Sequence, residues 1–280
     1  MTITTSPSRF DVPRLREQYR DRGWVKIESV LDAQTVEAVR HELFRLAGED
    51  EKRKRLETGN RRIQDTPRFE SVVHMIAGPS RRSDVCRDLV RSRQIARLVG
   101  EIAGLVGGGV QLYRDTAMIK PPTSEGGLPT GYHQDLPHLP LDRKFGCTLW
   151  IALVDLPANS GTLRFIDGSH EWGPLGRYDG LDQDWIKGHP EDAGKLSAPN
   201  ALKAGDATLH DVLTMHGTDR NQSDQIRVAY PVTYISSESL YTGAPSSVTD
   251  GLGLAVDRPL SHEFFPVLIP PGGGGVPAIG

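Results

Sequence analysis

The chain has 280 residues, a formal charge of -3, 37% hydrophobic residues and two cysteines. That apolar content is enough for a packed core and excludes a disordered chain, and the near-neutral charge leaves no electrostatic footprint for nucleic acid or an anionic membrane. Cys86 and Cys147 alone support neither a disulfide framework nor a thiolate metal site, the start MTITTSPSRF lacks a signal-peptide pattern, and LWIALV is too short to span a bilayer, so a soluble, cytoplasmic setting is expected.

Residues 10–106 read as helical support. Pro13 opens RLREQYRDRG, Gly23 ends it, and WVKI follows as a short strand. Asp32 is placed to cap AQTVEAVRHELFRLAG, where Val36, Val39, Leu43 and Leu46 recur at helical spacing and Gly48 reads as the stop. The charge-dense run at 49–64, EDEKRKRLETGNRRIQ, reads as a solvated segment. Ser83 and Asp84 start a helix through VCRDLV, and RQIARLVGEIAGLV carries Ile95, Leu98, Val99, Ile102 and Leu105 on one stripe.

From Gly107 the pattern turns to β. Strands are predicted at 110–120, 147–156, 161–167, 207–213 and 226–236, separated by the turn signals NSG, AGD and RNQSD. They are not interleaved with helices, which argues against a parallel βαβ sheet. The expectation is a mainly β fold with flanking helices and a double-stranded β-helix (jelly-roll, cupin-like) core over 107–238. Residues 171–200 read as a lid-like insertion, and 239–280 as a C-terminal segment with a flexible Gly/Pro tail. The whole chain is expected to form one domain.

Within that core, residues 129–140 read PTGYHQDLPHLP. The prolines exclude a helix interior, and in an extended chain residues i and i+2 share a side, so His133 and Asp135 are expected to face a common point. His216 is placed just past a strand and before a turn. Arg227 sits within the next apolar strand, where a guanidinium is costly without a counter-charge. Its partner is either an anionic ligand or one of Asp135, Asp206, Asp211 and Asp219. Two histidines and one carboxylate suit non-haem Fe(II) with three positions left open. An α-keto acid and dioxygen could fill these, and arginine supplies the fork that a distal carboxylate needs. His210 is the rival third ligand, with a satisfied core histidine as its other reading. His138 reads as a surface or entrance residue, and His170 as fixing a loop. Lys120, ahead of two prolines, reads as a solvated strand end or as reaching the pocket mouth.

The stretches IKPP, HQD, LWIALVDLPANSGTLRFIDGSH, and MHGT followed by IR together resemble the phytanoyl-CoA dioxygenase family of Fe(II)/2-oxoglutarate-dependent oxygenases, over roughly residues 110–236, with a weaker echo in GWVKIESVLD. By that resemblance His133, Asp135 and His216 match the iron ligands and Arg227 the anchor for 2-oxoglutarate. Thr218, Trp150 and Thr116 match further co-substrate contacts. The resemblance implies Fe(II), 2-oxoglutarate and O2 as cofactor and co-substrates, and oxidation of an unactivated C–H bond with release of succinate and CO2. Family members that carry halide on iron lack the motif carboxylate. The retained Asp135 therefore implies oxygenation, as hydroxylation or as oxidative cyclisation or epimerisation.

The branches it resembles tailor natural products. Between 171 and 194, six acids (Glu171, Asp179, Asp182, Asp184, Glu191 and Asp192) stand against Arg177 and Lys187, alongside Trp172, Tyr178 and Trp185. This favours a neutral, ring-containing small molecule, with no nucleic-acid or membrane partner and a monomer or homodimer. The competing readings are a cupin-like metal isomerase or hydrolase and a non-catalytic jelly-roll binding protein. Arg227 and Thr218 argue against both.

Overall fold

The computed structural model describes residues 9–57, 74–122, 129–143, 145–176 and 189–272. Helix α1 (Val12–Arg22) starts where the Asp11 carboxylate accepts the Arg14 N–H, with Pro13 in its first turn. It ends at Gly23, whose left-handed φ of 80° and crowded surroundings both require glycine: a Cβ there would lie 2.5 Å from Thr214 Oγ1. Strand β1 (Trp24–Ile27) follows, and then α2 (Ala33–Glu57).

Helix α2 corrects the expected stop at Gly48. An interior glycine costs only about 1 kcal/mol, and the run after it consists of good helix formers. Arg45 also pairs with Glu49 across the glycine and with Glu42 on the turn before it. Strand β2 (His74–Ala77) was not expected. Helices α3 (Asp84–Val90) and α4 (Arg93–Ala103) are capped by Ser83 and Ser92, and α4 closes on left-handed Gly104.

The remaining strands are β3 (Val110–Lys120), β4 (Thr130–His133), β5 (Gly146–Ala152), β6 (Leu163–Phe165), β7 (Ala207–Asp211), β8 (His216–Thr218), β9 (Arg227–Ser236) and β10 (Val267–Ile269). They form two antiparallel sheets. The larger has the order β1-β7-β5-β9-β3-β10, with β2 also on β3, and the smaller is β4-β8-β6. Strand β10 belongs to the C-terminal segment, which is therefore anchored to β3 through Val267 and Ile269. The Gly/Pro tail lies outside the described residues.

Period-two alternation decides what each face of the large sheet does. Leu149 and Ile151 of β5, Leu209 of β7, and Val228, Tyr230, Val232 and Tyr234 of β9 pack into the main core with α2, α3 and α4 residues such as Val39, Leu43, Leu89 and Val99. The intervening residues, Thr148, Trp150, His210, Arg227 and Thr233, face a cavity whose other walls come from the small sheet. A sheet buried on both faces thus keeps one face apolar and gives the other to polar chemistry.

Candidate active site

Strands β4 and β8 pair with His133 opposite His216 and Thr130 opposite Thr218. His216 does not follow a strand, as the sequence suggests. It begins its own in the smaller sheet, and the turn after β8 crosses to the larger sheet, where Arg227 opens β9. Each imidazole is oriented by its own backbone. His133 Nδ1 lies 2.8 Å from the Gly131 carbonyl, and His216 Nδ1 2.9 Å from that of Thr214. With Nδ1–H donating to a carbonyl, each Nε2 keeps a lone pair for a metal.

Asp135 reaches the same point by another route. Its backbone, at φ -71° and ψ -39°, opens the short turn Leu136–His138. A bend therefore replaces the extended alternation expected of H-x-D. One ligand atom from each of His133, Asp135 and His216 lies within 4.8 Å of the others.

The carboxylate of Asp135 accepts from Arg114 Nη2 at 3.0 Å and from Thr148 Oγ1 at 2.7 Å, with His210 Nε2 at 3.5 Å. Burial pushes its carboxyl up. Contact with His210 and the charges of Arg114 and His216 outweigh burial and hold it well below the usual range. His216 is pushed down by burial and then by His210 and His133, which keeps it in the neutral, ligating form.

None of Arg114, Thr148 and His210 was marked as an Asp135 partner in the sequence. His210 is a core residue whose ring nitrogens make no hydrogen bond; its Nε2 faces the Asp135 carboxylate at 3.5 Å, and its ring centroid lies 4.3 Å from that of His216. His170 does fix a loop, its Nε2 lying 3.0 Å from the Arg20 carbonyl.

Arg227 is 1% exposed. Its Nη1 donates to the Gly161 carbonyl, its Nε is buried without a partner, and its guanidinium carbon lies 5.5 Å from the Trp150 ring centroid. Burial alone lowers its pKa, to about 10. The Arg–Asp alternatives are otherwise engaged. Asp135 is held by Arg114, Asp206 by Lys26 and Asp219 by Arg164, while Asp211 accepts from Leu213 N–H and Tyr19. Among the described residues, no carboxylate pairs with this guanidinium.

A second buried cation lies beside it. Lys120, the strand partner of Arg227, is 0% exposed rather than solvated. Its Nζ donates to Thr218 Oγ1 at 2.9 Å, and Thr130 N–H donates to the same oxygen at 3.0 Å. With both lone pairs of Oγ1 used, the Thr218 hydroxyl proton is left to donate toward the cavity. Burial, then the Arg227 charge, pulls the Lys120 pKa down to about 7.

His133, Asp135, His216, Arg227, Thr218, Trp150 and Thr116 all line one cavity of about 580 Å³ between the sheets, with His138 also on its wall. Gln134 points elsewhere. Its amide donates to the carbonyls of Gly173 and Leu213 and accepts from Leu175 N–H. The middle residue of the motif thus ties the 171–200 segment to the strand that carries His133. Residues 177–188 of that segment lie outside the described residues.

A family model described as Phytanoyl-CoA dioxygenase (PhyH) matches residues 19–229. The chain belongs to the phytanoyl-CoA dioxygenase family. A Stutzerimonas stutzeri protein named "Probable alpha-ketoglutarate-dependent hypophosphite dioxygenase" is 24% identical to this family member over 80% of the chain and 78% of its own length. The mouse phytanoyl-CoA dioxygenase domain-containing protein 1 is 34% identical over 36% of this chain and 37% of its own. Among solved structures, SnoK, a non-heme alpha ketoglutarate dependent carbocyclase from nogalamycin biosynthesis, is 28% identical with a TM-score of 0.70, over 94% of this chain and 98% of that one. The epimerase SnoN, in complex with Fe3+, alpha ketoglutarate and nogalamycin RO, is 25% identical with a TM-score of 0.68, over 94% and 100%.

This PhyH member is accordingly a non-haem iron, 2-oxoglutarate-dependent dioxygenase with a jelly-roll core that acts on a small molecule. Its residues fit those groups: two imidazole nitrogens and a carboxylate oxygen converge, and an uncompensated buried guanidinium stands in the same cavity. Among the described residues, no helix is long and apolar enough to cross a membrane.

Proposed function

We propose that His133, Asp135 and His216 hold Fe(II) and that Arg227 and Thr218 hold the distal carboxylate of 2-oxoglutarate, with Trp150 and Thr116 lining its pocket. The substrate is a small, ring-containing natural-product intermediate, oxidised at an unactivated C–H bond by hydroxylation, cyclisation or epimerisation. The observation that carries this reading is the His-Asp-His cluster sharing a cavity with a buried arginine that no carboxylate neutralises among the described residues. A cupin-like isomerase would have no use for that arginine. SnoK and SnoN support the natural-product class by likeness. We further propose that the chain is one domain that works in the cytoplasm as a monomer or homodimer, without nucleic-acid or membrane partners.

When bound, iron with 2-oxoglutarate and dioxygen supplies the oxidant and releases succinate and CO2. The chain supplies position and charge. The carbonyls of Gly131 and Thr214 fix the two rings. Arg114 and Thr148 keep Asp135 ionised and aimed, and Arg227 with the Thr218 hydroxyl offers matched donors to a carboxylate.

The test is Fe(II)-dependent conversion of 2-oxoglutarate to succinate by the purified protein. His133→Ala, Asp135→Ala and His216→Ala should each abolish it and lose metal while retaining the circular dichroism of the fold. If His210→Ala loses metal and His216→Ala keeps it, the ligand assignment is wrong.

A further inference from the structure

A second cavity of about 510 Å³ adjoins the first, sharing Met75, Arg114 and Thr116 as a common wall. Its lining is unusual in charge. Arg81, Arg87, Arg91 and Arg114 all border it, and the carboxyl residues there are Asp115 and Glu263. Asp115 is not available to any of these arginines. It is buried and accepts from Ser80 N–H at 2.9 Å, Ser80 Oγ at 2.8 Å and the Tyr230 hydroxyl at 2.7 Å.

Two of the four arginines are committed elsewhere. Arg114 pairs with Asp135, and Arg87 pairs with Asp84 while donating to the Ser80 carbonyl. The other two have no carboxylate partner among the described residues. Arg81 sits over the Phe264 ring, its guanidinium carbon 3.9 Å from the centroid. Arg91 donates from Nη2 to the Glu263 carbonyl at 2.8 Å, and its Nε is buried without an acceptor. That is the same signature as Arg227, a guanidinium fixed on a backbone carbonyl with a buried donor left over. Arg91 and Arg227 are the arginines that carry it among the described residues. Leaving such a donor unmet costs about 1–3 kcal/mol, which an anionic ligand would recover.

We infer that this arginine-lined cavity is a substrate subsite for an oxyanion. The molecule oxidised at the His-Asp-His cluster carries a phosphate, sulfate or carboxylate that docks on Arg91 and Arg81. The inference rests on the site reading above and departs from the neutral substrate expected from the acidic 171–194 stretch, part of which lies outside the described residues. Guanidinium forks match the two-oxygen face of such groups, and the cavities adjoin at Met75, Arg114 and Thr116, where the inferred substrate would cross from one to the other. Arg114 then stands at the junction, holding Asp135 with one nitrogen on the metal side.

The probes are phenyl phosphate, phenyl sulfate and benzoate, titrated calorimetrically at low ionic strength into protein loaded with Mn(II) and 2-oxoglutarate. Binding of 2-oxoglutarate is measured first in the same sample. Its absence would defeat the underlying site reading, whereas its presence isolates the subsite. At least one probe should bind saturably with a Kd of ~10 mM or tighter without displacing 2-oxoglutarate, and the ranking of the three names the oxyanion. Arg91→Gln should weaken that probe about tenfold or more while 2-oxoglutarate still binds. If Arg91→Gln does not fold, the exposed Arg81→Gln carries the same expectation. No saturable binding by any probe, binding that 2-oxoglutarate competes away, or binding indifferent to these substitutions would overturn the inference.

Discussion

Lys120 and Arg227 face each other across β3 and β9, two cations removed from water with Thr218 beside them. The Arg227 charge disfavours that of Lys120, and an entering carboxylate reverses the effect. The sign for binding follows. Above about pH 7 the empty site releases the Lys120 proton, while the bound anion favours keeping it, so affinity for 2-oxoglutarate should fall as pH rises through and beyond that value. The other charges acting on Lys120 are Asp219 and Arg220, in the turn after β8. Lys120→Met should weaken 2-oxoglutarate binding by about ten- to a hundredfold, since a hydrogen bond to a charged group is worth ~1.5–3 kcal/mol, and should flatten the pH profile. Calorimetry from about pH 6 to about pH 9 on Mn(II)-loaded protein reads both, and an undiminished slope in the variant would exonerate Lys120. Arg227→Ala should cost more, ~3–5 kcal/mol of co-substrate binding. Arg227→Lys should restore only part, because a point charge lacks the fork. These two cations also show what a sequence reveals at this scale. Arg227 interrupts an apolar strand and announces itself. Lys120 sits at a strand end before two prolines, and its burial comes from β8 of the other sheet, ninety-eight positions away at Thr218. Arg114 and Thr148 stay unread, and His210 is read without its Asp135 contact, for the same reason: Asp135 lies apart from them in the chain.

The elements that carry the chemistry are the short ones. Strands β3, β5 and β9 are long enough for alternation to be read, and they emerge close to where the sequence puts them. Strands β4 and β8 have four and three residues, too few for any period to register, whereas β6, also of three, falls inside the strand expected at 161–167. Such strands are defined by what they pair with, and Gln134 supplies one of the ties. Its side-chain amide makes three hydrogen bonds to the backbone of Gly173, Leu175 and Leu213, joining the end of β4 to two loops. Gln134→Leu would leave buried backbone groups without partners, at ~1–3 kcal/mol for each one that water does not reach. The expected result is a lower melting temperature and weaker Mn(II) binding, since His133 and Asp135 flank the lost clamp. Gln134→Glu keeps the acceptor but sets a buried carboxylate oxygen against the carbonyls of Gly173 and Leu213, so it should destabilise at least as much as Gln134→Leu. If Gln134→Leu melts like wild type, the clamp contributes nothing to the fold, and the loops are held by other contacts.

At the scale of the whole molecule, the two sheets bury two cations, Arg227 and Lys120, that no carboxylate pairs among the described residues. The inner face of the large sheet places Arg227 on the cavity wall with Lys120 paired beside it, and His210, whose ring nitrogens make no hydrogen bond, lies against the His-Asp-His cluster. The outer face, packed on α2, α3 and α4, carries the stabilising apolar burial that tolerates this. Ligands that supply the missing counter-charge bind the folded chain and not the unfolded one, so its stability should depend steeply on them. By linkage, a ligand present at a hundred times its Kd adds about 2.7 kcal/mol, and for a chain of this size that corresponds to a rise of roughly 5–10 °C in melting temperature. Mn(II) with 2-oxoglutarate should therefore raise the melting temperature well beyond either alone, because an α-keto acid chelated by the metal also satisfies Arg227. The dependence on partners separates this from nonspecific salt effects. In His216→Ala the metal shift should vanish and 2-oxoglutarate should give only a small shift through Arg227. In Arg227→Ala the metal shift should persist and the added effect of 2-oxoglutarate should shrink. Differential scanning fluorimetry of the four proteins, wild type, both single variants and the double variant, reads the coupling directly as a double-mutant cycle. Additive shifts would mean that metal and co-substrate bind apart, and the single cavity between the sheets would not be the place where they meet.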